Sequence, residues 1–399
     1  MLHIFFIAAL SLLGISDQHS LQLDDPYRCT GLFIQLVKIA DMDVPALIDT
    51  GSAACTIDTQ FYNESLAGTV AESGKELVLS ADGSSHRSVS FVVPIQMENF
   101  DSVDAFSVVA NLKGIATTVQ TDIKAIVGVN CLDQDFVTLH GATGRISRTR
   151  EIGTTEKLHF SELRARKGRF LTSLTFPTIG SRDCLIDTGM NTAIALQESQ
   201  LEQLVRSGDA VRITEDGAET LGVNSRRSAI RLYWLRYVDV AGKRFENVLA
   251  TTSQEAIIGM QILRHFDVTF NLKQRLLRMK TLKNADHARF AVRGTDFKAV
   301  FDRSGRLFFR DDKYSNGARE LAGIKPGDEI IEIDGDSVDE YTFYSVTDRF
   351  SEAGTNLHLK CRRDGKGFEV DLVLKSRYQY PPEWPPEREE FNPDAVSEK

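Results

Sequence analysis

The chain has 399 residues, 42% hydrophobic and 26% charged, a composition that excludes a wholly disordered or membrane-embedded protein. A formal net charge of -9 argues against a nucleic-acid partner, whose phosphates need clustered Lys and Arg on one face. The length exceeds what one hydrophobic core usually supports, so several domains are expected.

The opening residues, MLHIFFIAALSLLGIS, hold a short apolar run from Ile4 to Leu13 ahead of Gly14 and Ser16. That run is too short to span a bilayer and fits a signal peptide over residues 1–16, although no Lys or Arg precedes it. An exported mature protein, periplasmic or extracellular, is the expectation. Cys29, Cys55, Cys131, Cys184 and Cys361 show no CxxC or metal-ligand spacing and read as isolated buried thiols, with no metal site and no cofactor expected.

From residue 27 the chain repeats itself. Leu47-Ile48-Asp49-Thr50-Gly51 recurs as Leu185-Ile186-Asp187-Thr188-Gly189. AIVGVNCLDQDFVTL from Ala125 recurs as AIIGMQILRHFDVTF from Ala256. The Asp copies are 187 − 49 = 138 residues apart and the Gly copies 259 − 128 = 131, so both halves share one order of parts. Each Asp-Thr-Gly follows a strand, a turn and a second strand, GLFIQLVKIADMDVPALIDTG and GRFLTSLTFPTIGSRDCLIDTG. A hairpin is expected over ELVLSADGSSHRSVSFVVPIQM, a strand-rich stretch over VNSRRSAIRLYWLRYVDVAGKRFENVLAT, and one short helix per half at VNCLDQDF and MQILRHF. The basic stretch from Arg145 to Arg169, interrupted by Glu151, Glu156 and Glu162, reads as a solvated linker.

On these doubled motifs the stretch from Tyr27 to Leu282 resembles the aspartic peptidases, most closely bacterial retropepsin-like proteins with two lobes fused in one chain. The resemblance implies a bilobal, mostly β fold, with lobe 1 over 27–147 and a linker with lobe 2 over 148–283. It implies that Asp49 and Asp187 share one proton and activate a water for peptide-bond hydrolysis, a pairing for which this family is the standard example. Thr50 and Thr188 would hydrogen-bond across to the opposite loop. Gly51 and Gly189 would let the turns approach the carboxylates, and Gly128 and Gly259 would underlie the loops.

Two departures stand out. Met190 replaces the Ser, Thr or Ala usual after the second Asp-Thr-Gly and removes a hydroxyl from the outer carboxylate oxygen. Val129 and Met260 stand where retroviral relatives often carry a bracing Arg. Ser80-Ala81-Asp82-Gly83-Ser84 is the candidate flap, with Gly222-Val223-Asn224 as its partner.

After Lys283 the pattern changes. NGARELAGIKPGDEIIEIDGDSVDEYTF resembles a PDZ domain, placed over 285–376. Such a domain binds a peptide as an added strand, which would set the ligand beside Phe297, Lys298, Ala299 and Val300 and against a helix between Tyr341 and Ser351. The acidic DGDSVDE lacks the spacing of a calcium loop and is explained by the turn. Residues 377–399, rich in Pro and Glu, read as a flexible tail with exposed aromatics. No nucleophile-elbow serine and no His-Glu-x-x-His zinc motif is present.

The expectation is a mostly β, monomeric, exported aspartic endopeptidase acting on a peptide or protein substrate, with a PDZ unit for peptide recognition or regulation. The alternative is a non-catalytic peptide-binding scaffold that retains the fold.

Overall fold

Met42–Ile48 ends in the buried run Ala46, Leu47 and Ile48, and a strand enclosed on both faces lies inside a sheet with partners on both edges. In the computed structural model Ile34–Ile39 lies antiparallel on one edge, with Ile34 opposite Leu47, and Ala125–Val127 lies parallel on the other, with Leu47 opposite Ile126. Ala125–Val127 also pairs antiparallel with Cys55–Asp58. The strand entering the first Asp-Thr-Gly loop and the strand leaving it are therefore separated by an inserted third strand. Residues 3–4, 26–79, 85–153, 159–221, 227–288, 290, 298–302, 304–310, 323–350, 356–374 and 384 are described.

The second half repeats this topology. Gly180–Ile186 is flanked by antiparallel Arg169–Phe176 and parallel Ile257–Ile258, and the latter pairs antiparallel with Ile194–Leu196. Each half forms an eight-stranded sheet. A third sheet of five strands joins them. Each half gives it a hairpin, Phe136–His140 with Arg145–Thr149 and Phe266–Asn271 with Leu276–Thr281, and the inner strands run antiparallel. Thr138 faces Thr269 there, their hydroxyls 2.9 Å apart, at the same 131-residue offset as the motif glycines. A local two-fold axis thus passes between these threonines.

The C-terminal unit has its own sheet and its own apolar core. Lys298–Phe301, Leu307–Arg310, Glu329–Ile333, Asn356–Arg363 and Lys366–Val373 follow one another across it. Leu307, Phe309, Ile330, Ile333, Leu357 and Leu359 fill the core beneath the helix Phe343–Arg349. The described residues are mostly β.

Several local expectations change. The two helix candidates are single turns only, Val129–Cys131 and Met260–Leu263, because antiparallel pairing resumes at Phe136 and Phe266. The longest described helix is Glu198–Ser207, unforeseen although well signalled: Gln197 and Gln200 form a capping box, Leu201 and Leu204 face the core, and Gly208 ends it at φ 81°. The supposed linker is partly sheet. Arg145–Thr149, Ser161–Glu162 and Arg164–Arg166 are strands, Arg148 is ion-paired with Asp101 and Asp135, and Arg169 is buried. Trp384, expected exposed in the tail, donates its indole N–H to Asn247 Oδ1 at 2.7 Å and packs against the core. The signal segment apart from His3–Ile4, both flap stretches, Phe297 and the tail other than Trp384 lie outside the described residues.

All five cysteines are buried free thiols, but two are not isolated: the sulfurs of Cys55 and Cys131 are 3.3 Å apart. Cys131 is held protonated chiefly by its hydrogen bond with Cys55, Cys184 and Cys361 by burial. Titration with a thiol reagent is therefore expected to find five reactive thiols in denaturant and none within minutes in the native protein. A native count above zero would contradict the packing.

Candidate active site

The parallel pairing of Met42–Ile48 with Ala125–Val127 stops at Ile48, and the next amide, Asp49 N–H, donates to Val127 O at 3.0 Å. Asp187 N–H donates to Ile258 O at 3.1 Å in the same way. Each Asp thus sits where a strand leaves its sheet, anchored by the apolar strand of its own half. Both carboxyls are completely buried.

The loops interlock. Thr50 Oγ1 donates to Ile186 O at 2.8 Å and accepts from Thr188 N–H at 3.1 Å, while Thr188 Oγ1 donates to Ile48 O at 2.7 Å and accepts from Thr50 N–H at 3.0 Å. Four buried hydrogen bonds cross between halves, each hydroxyl using its donor and an acceptor lone pair. Each threonine thus hydrogen-bonds the opposite loop.

The glycines are matched by contact. Gly51 N–H donates to Asp49 Oδ1 at 2.8 Å, and a Cβ on Gly51 would fall 2.5 Å from Asp187 Cγ. Gly189 mirrors it, donating to Asp187 Oδ1 at 2.8 Å with its own Cβ position 2.8 Å from Asp49 Cγ. Each glycine therefore supports its own carboxyl and leaves room for the opposite one. Gly128 and Gly259 lie under the loops, where a Cβ would come within 2.5 Å of Ala54 O and 2.4 Å of Thr192 O. These four positions are required by space.

Burial raises both acids, Asp49 well above the ordinary carboxyl value and Asp187 to about 6. For Asp49 the charge of Asp187 and a hydrogen bond to it act in the same direction, whereas for Asp187 that bond and the Gly189 N–H pull downward. As two carboxylates neither group could donate, and the outer oxygens Asp49 Oδ2 and Asp187 Oδ2 would have no partner. One proton held between the two carboxyls removes the conflict.

Met190 does not cost the pair a hydrogen bond relative to the other loop. Its counterpart Ser52 turns its hydroxyl to Ala54 O at 2.8 Å, away from Asp49. Val129 and Met260 are buried apolar residues whose N–H groups donate to Ser52 O and Met190 O, so the backbone braces the loops.

One charged pair escaped the sequence reading. Arg169, 1% exposed, is ion-paired with Glu255 at 2.8 Å, and its charge lowers both dyad acids. The signal was present in the repeat: GRF at Arg169 aligns with GLF at Leu32, a guanidinium in an apolar slot. Lys298, Ala299 and Val300, the tentative peptide groove, belong to a strand that among the described residues pairs only with Leu307–Arg310.

No protein-family model matches the chain, and no curated protein sequence matches it. The site stands on its own geometry.

Two outcomes follow from that geometry. Thr50→Val keeps the shape but strands Thr188 N–H and Ile186 O in the interior, and is expected to cost roughly 2–4 kcal/mol in chemical denaturation. Because the folded chain holds these protons above 3.8, it binds more protons than the unfolded chain between there and about 6, so rising pH through that window removes stability. Asp187→Asn should accordingly melt above the wild type at pH 8, by on the order of 2 kcal/mol, with the gap closing towards pH 4. A gap independent of pH would mean that burial does not raise the Asp187 carboxyl.

Proposed function

We propose that the chain is an aspartic endopeptidase, in which Asp49 and Asp187 hydrolyse peptide bonds through one activated water. The observation that carries this reading is the reciprocal threonine lattice holding two buried carboxyls against each other's glycine. Such a pair is suited to acid–base work and poorly suited to anything else. The ionised member accepts a proton from water as it attacks, and the protonated member hydrogen-bonds the scissile carbonyl. No covalent enzyme intermediate is needed, and no other described side chain need act as nucleophile.

The doubled sheet topology, with an inserted strand between those flanking each Asp loop, supports a bilobal retropepsin-like arrangement in one chain. One chain that brings both acids needs no second copy, so a monomer is the expected working form. The C-terminal unit reads as PDZ-like: Lys298–Phe301, which among the described residues pairs only with Leu307–Arg310, lies beside helix Phe343–Arg349 where such a unit adds a peptide strand, and the helix Pro26–Thr30 contacts both. Export rests on the Ile4–Leu13 run.

The test is cleavage of a diverse peptide mixture by the full chain between pH 3 and 8, alongside Asp49→Asn and Asp187→Asn proteins shown to be folded. Cleavage by the wild type and its loss by at least about a thousandfold in both variants is expected, since each acid belongs to one unit of chemistry. Retained peptide binding with no cleavage at any pH would instead identify a binding scaffold.

A further inference from the structure

Besides Ser52 and Met190, the two dyad loops differ at the next position. Ala53 lies four residues after Asp49, and its counterpart four residues after Asp187 is Asn191. Gly168 approaches Ala53, while the Asn191 amide donates to Thr30 O at 3.5 Å, in the matching segment of the first half. The first loop manages without a polar group there, so the carboxyl pair does not itself call for the Asn191 amide.

What meets that amide comes from the C-terminal unit. Tyr344, on helix Phe343–Arg349, places its phenol oxygen 3.0 Å from Asn191 Oδ1 and 3.0 Å from Gly31 O, its single proton shared between two acceptors. The tyrosine is buried in the main core rather than in that of its own unit. Gly31, at φ +69°, makes room: a Cβ there would fall 2.7 Å from Tyr344 Cε2. Arg264, just past the turn that follows Gly259, stacks over the Tyr344 ring with its guanidinium carbon 4.3 Å from the centroid and pairs with Asp348 at 3.2 Å. Arg28 closes the same joint by donating to Val338 O at 2.8 Å and Tyr341 O at 3.0 Å. One helix of the C-terminal unit therefore touches the loop of Asp187 and the turn beneath it.

We propose that Tyr344 is a positioning residue for the Asp187 loop, fixing it through Asn191 and Gly31 so that the C-terminal unit and the dyad floor are one mechanical piece. As a statement about catalysis this rests on the peptidase reading; as a statement about loop order it does not.

Tyr344→Phe keeps the ring and its stacking and removes only the hydroxyl. Hydrogen exchange of the full chain is expected to quicken about fivefold at the amides of Thr188–Asn191, the worth of one neutral hydrogen bond. Tyr341→Phe loses a hydroxyl bonded to Ile333 O within the C-terminal unit and should leave those amides unchanged. In an Asn191→Ala background the Tyr344→Phe change should add little, as for two members of one contact. If the wild type cleaves peptides, Tyr344→Phe should lower kcat about fivefold with KM nearly constant. Unchanged exchange in Tyr344→Phe, or equal quickening in Tyr341→Phe, would overturn the assignment. A wild type that cleaves nothing removes the peptidase reading and leaves the exchange result to decide this one.

Discussion

Two carboxyls forced together out of water set the terms for the rest of this molecule. Side by side and fully buried, they cannot both be charged, so one retains a proton and the pair acts as a single titrating unit. Holding such a pair is costly, and no single strand or loop could do so. The architecture meets the demand twice over: each half contributes an anchored Asp, and the threonine hydroxyls stitch the loops with bonds whose partners lie in the opposite half. The five-stranded sheet below them, with Thr138 against Thr269 at its centre, keeps the halves in register.

The symmetry is not complete, and its breaks are informative. Arg169 replaces the apolar Leu32 of the first half and brings, with Glu255, a buried charged pair near the acids. That charge opposes the effect of burial on both carboxyls, so the acidity of the dyad is a balance between a dry site and a nearby guanidinium. Met190 and Ser52 differ in chemistry without differing in what they give the carboxyls, because the serine hydroxyl faces its own loop backbone. Asn191 in place of Ala53 gives the second loop a polar handle that the first lacks. The C-terminal unit is joined to that handle, which makes it part of the site's support as well as a separate sheet with its own core.

The sequence by itself determined the repeated Asp-Thr-Gly and Ile-x-Gly segments and the strands leading into them, because those signals are local: fixed short spacing, alternating apolar residues and glycines where backbones must approach. Asp49, Asp187, Thr50, Thr188 and the four glycines were all readable for that reason. Single-turn segments such as Met260–Leu263 were less so, since their apolar run fits a helix until the pairing of Phe266–Asn271 with its neighbours takes over. Only the tertiary structure decided which side chains meet across long stretches of chain. Cys55 reaches Cys131, Arg169 reaches Glu255, Trp384 reaches Asn247, and Tyr344 reaches Asn191 across 153 residues. None of these pairs has a period or a motif: Cys55 meets Cys131, and Arg169 meets Glu255, through the order of strands within one sheet, whereas Tyr344 meets Asn191 where two separately cored units pack, a fit set by the summed shape of their faces rather than by any one stretch of sequence.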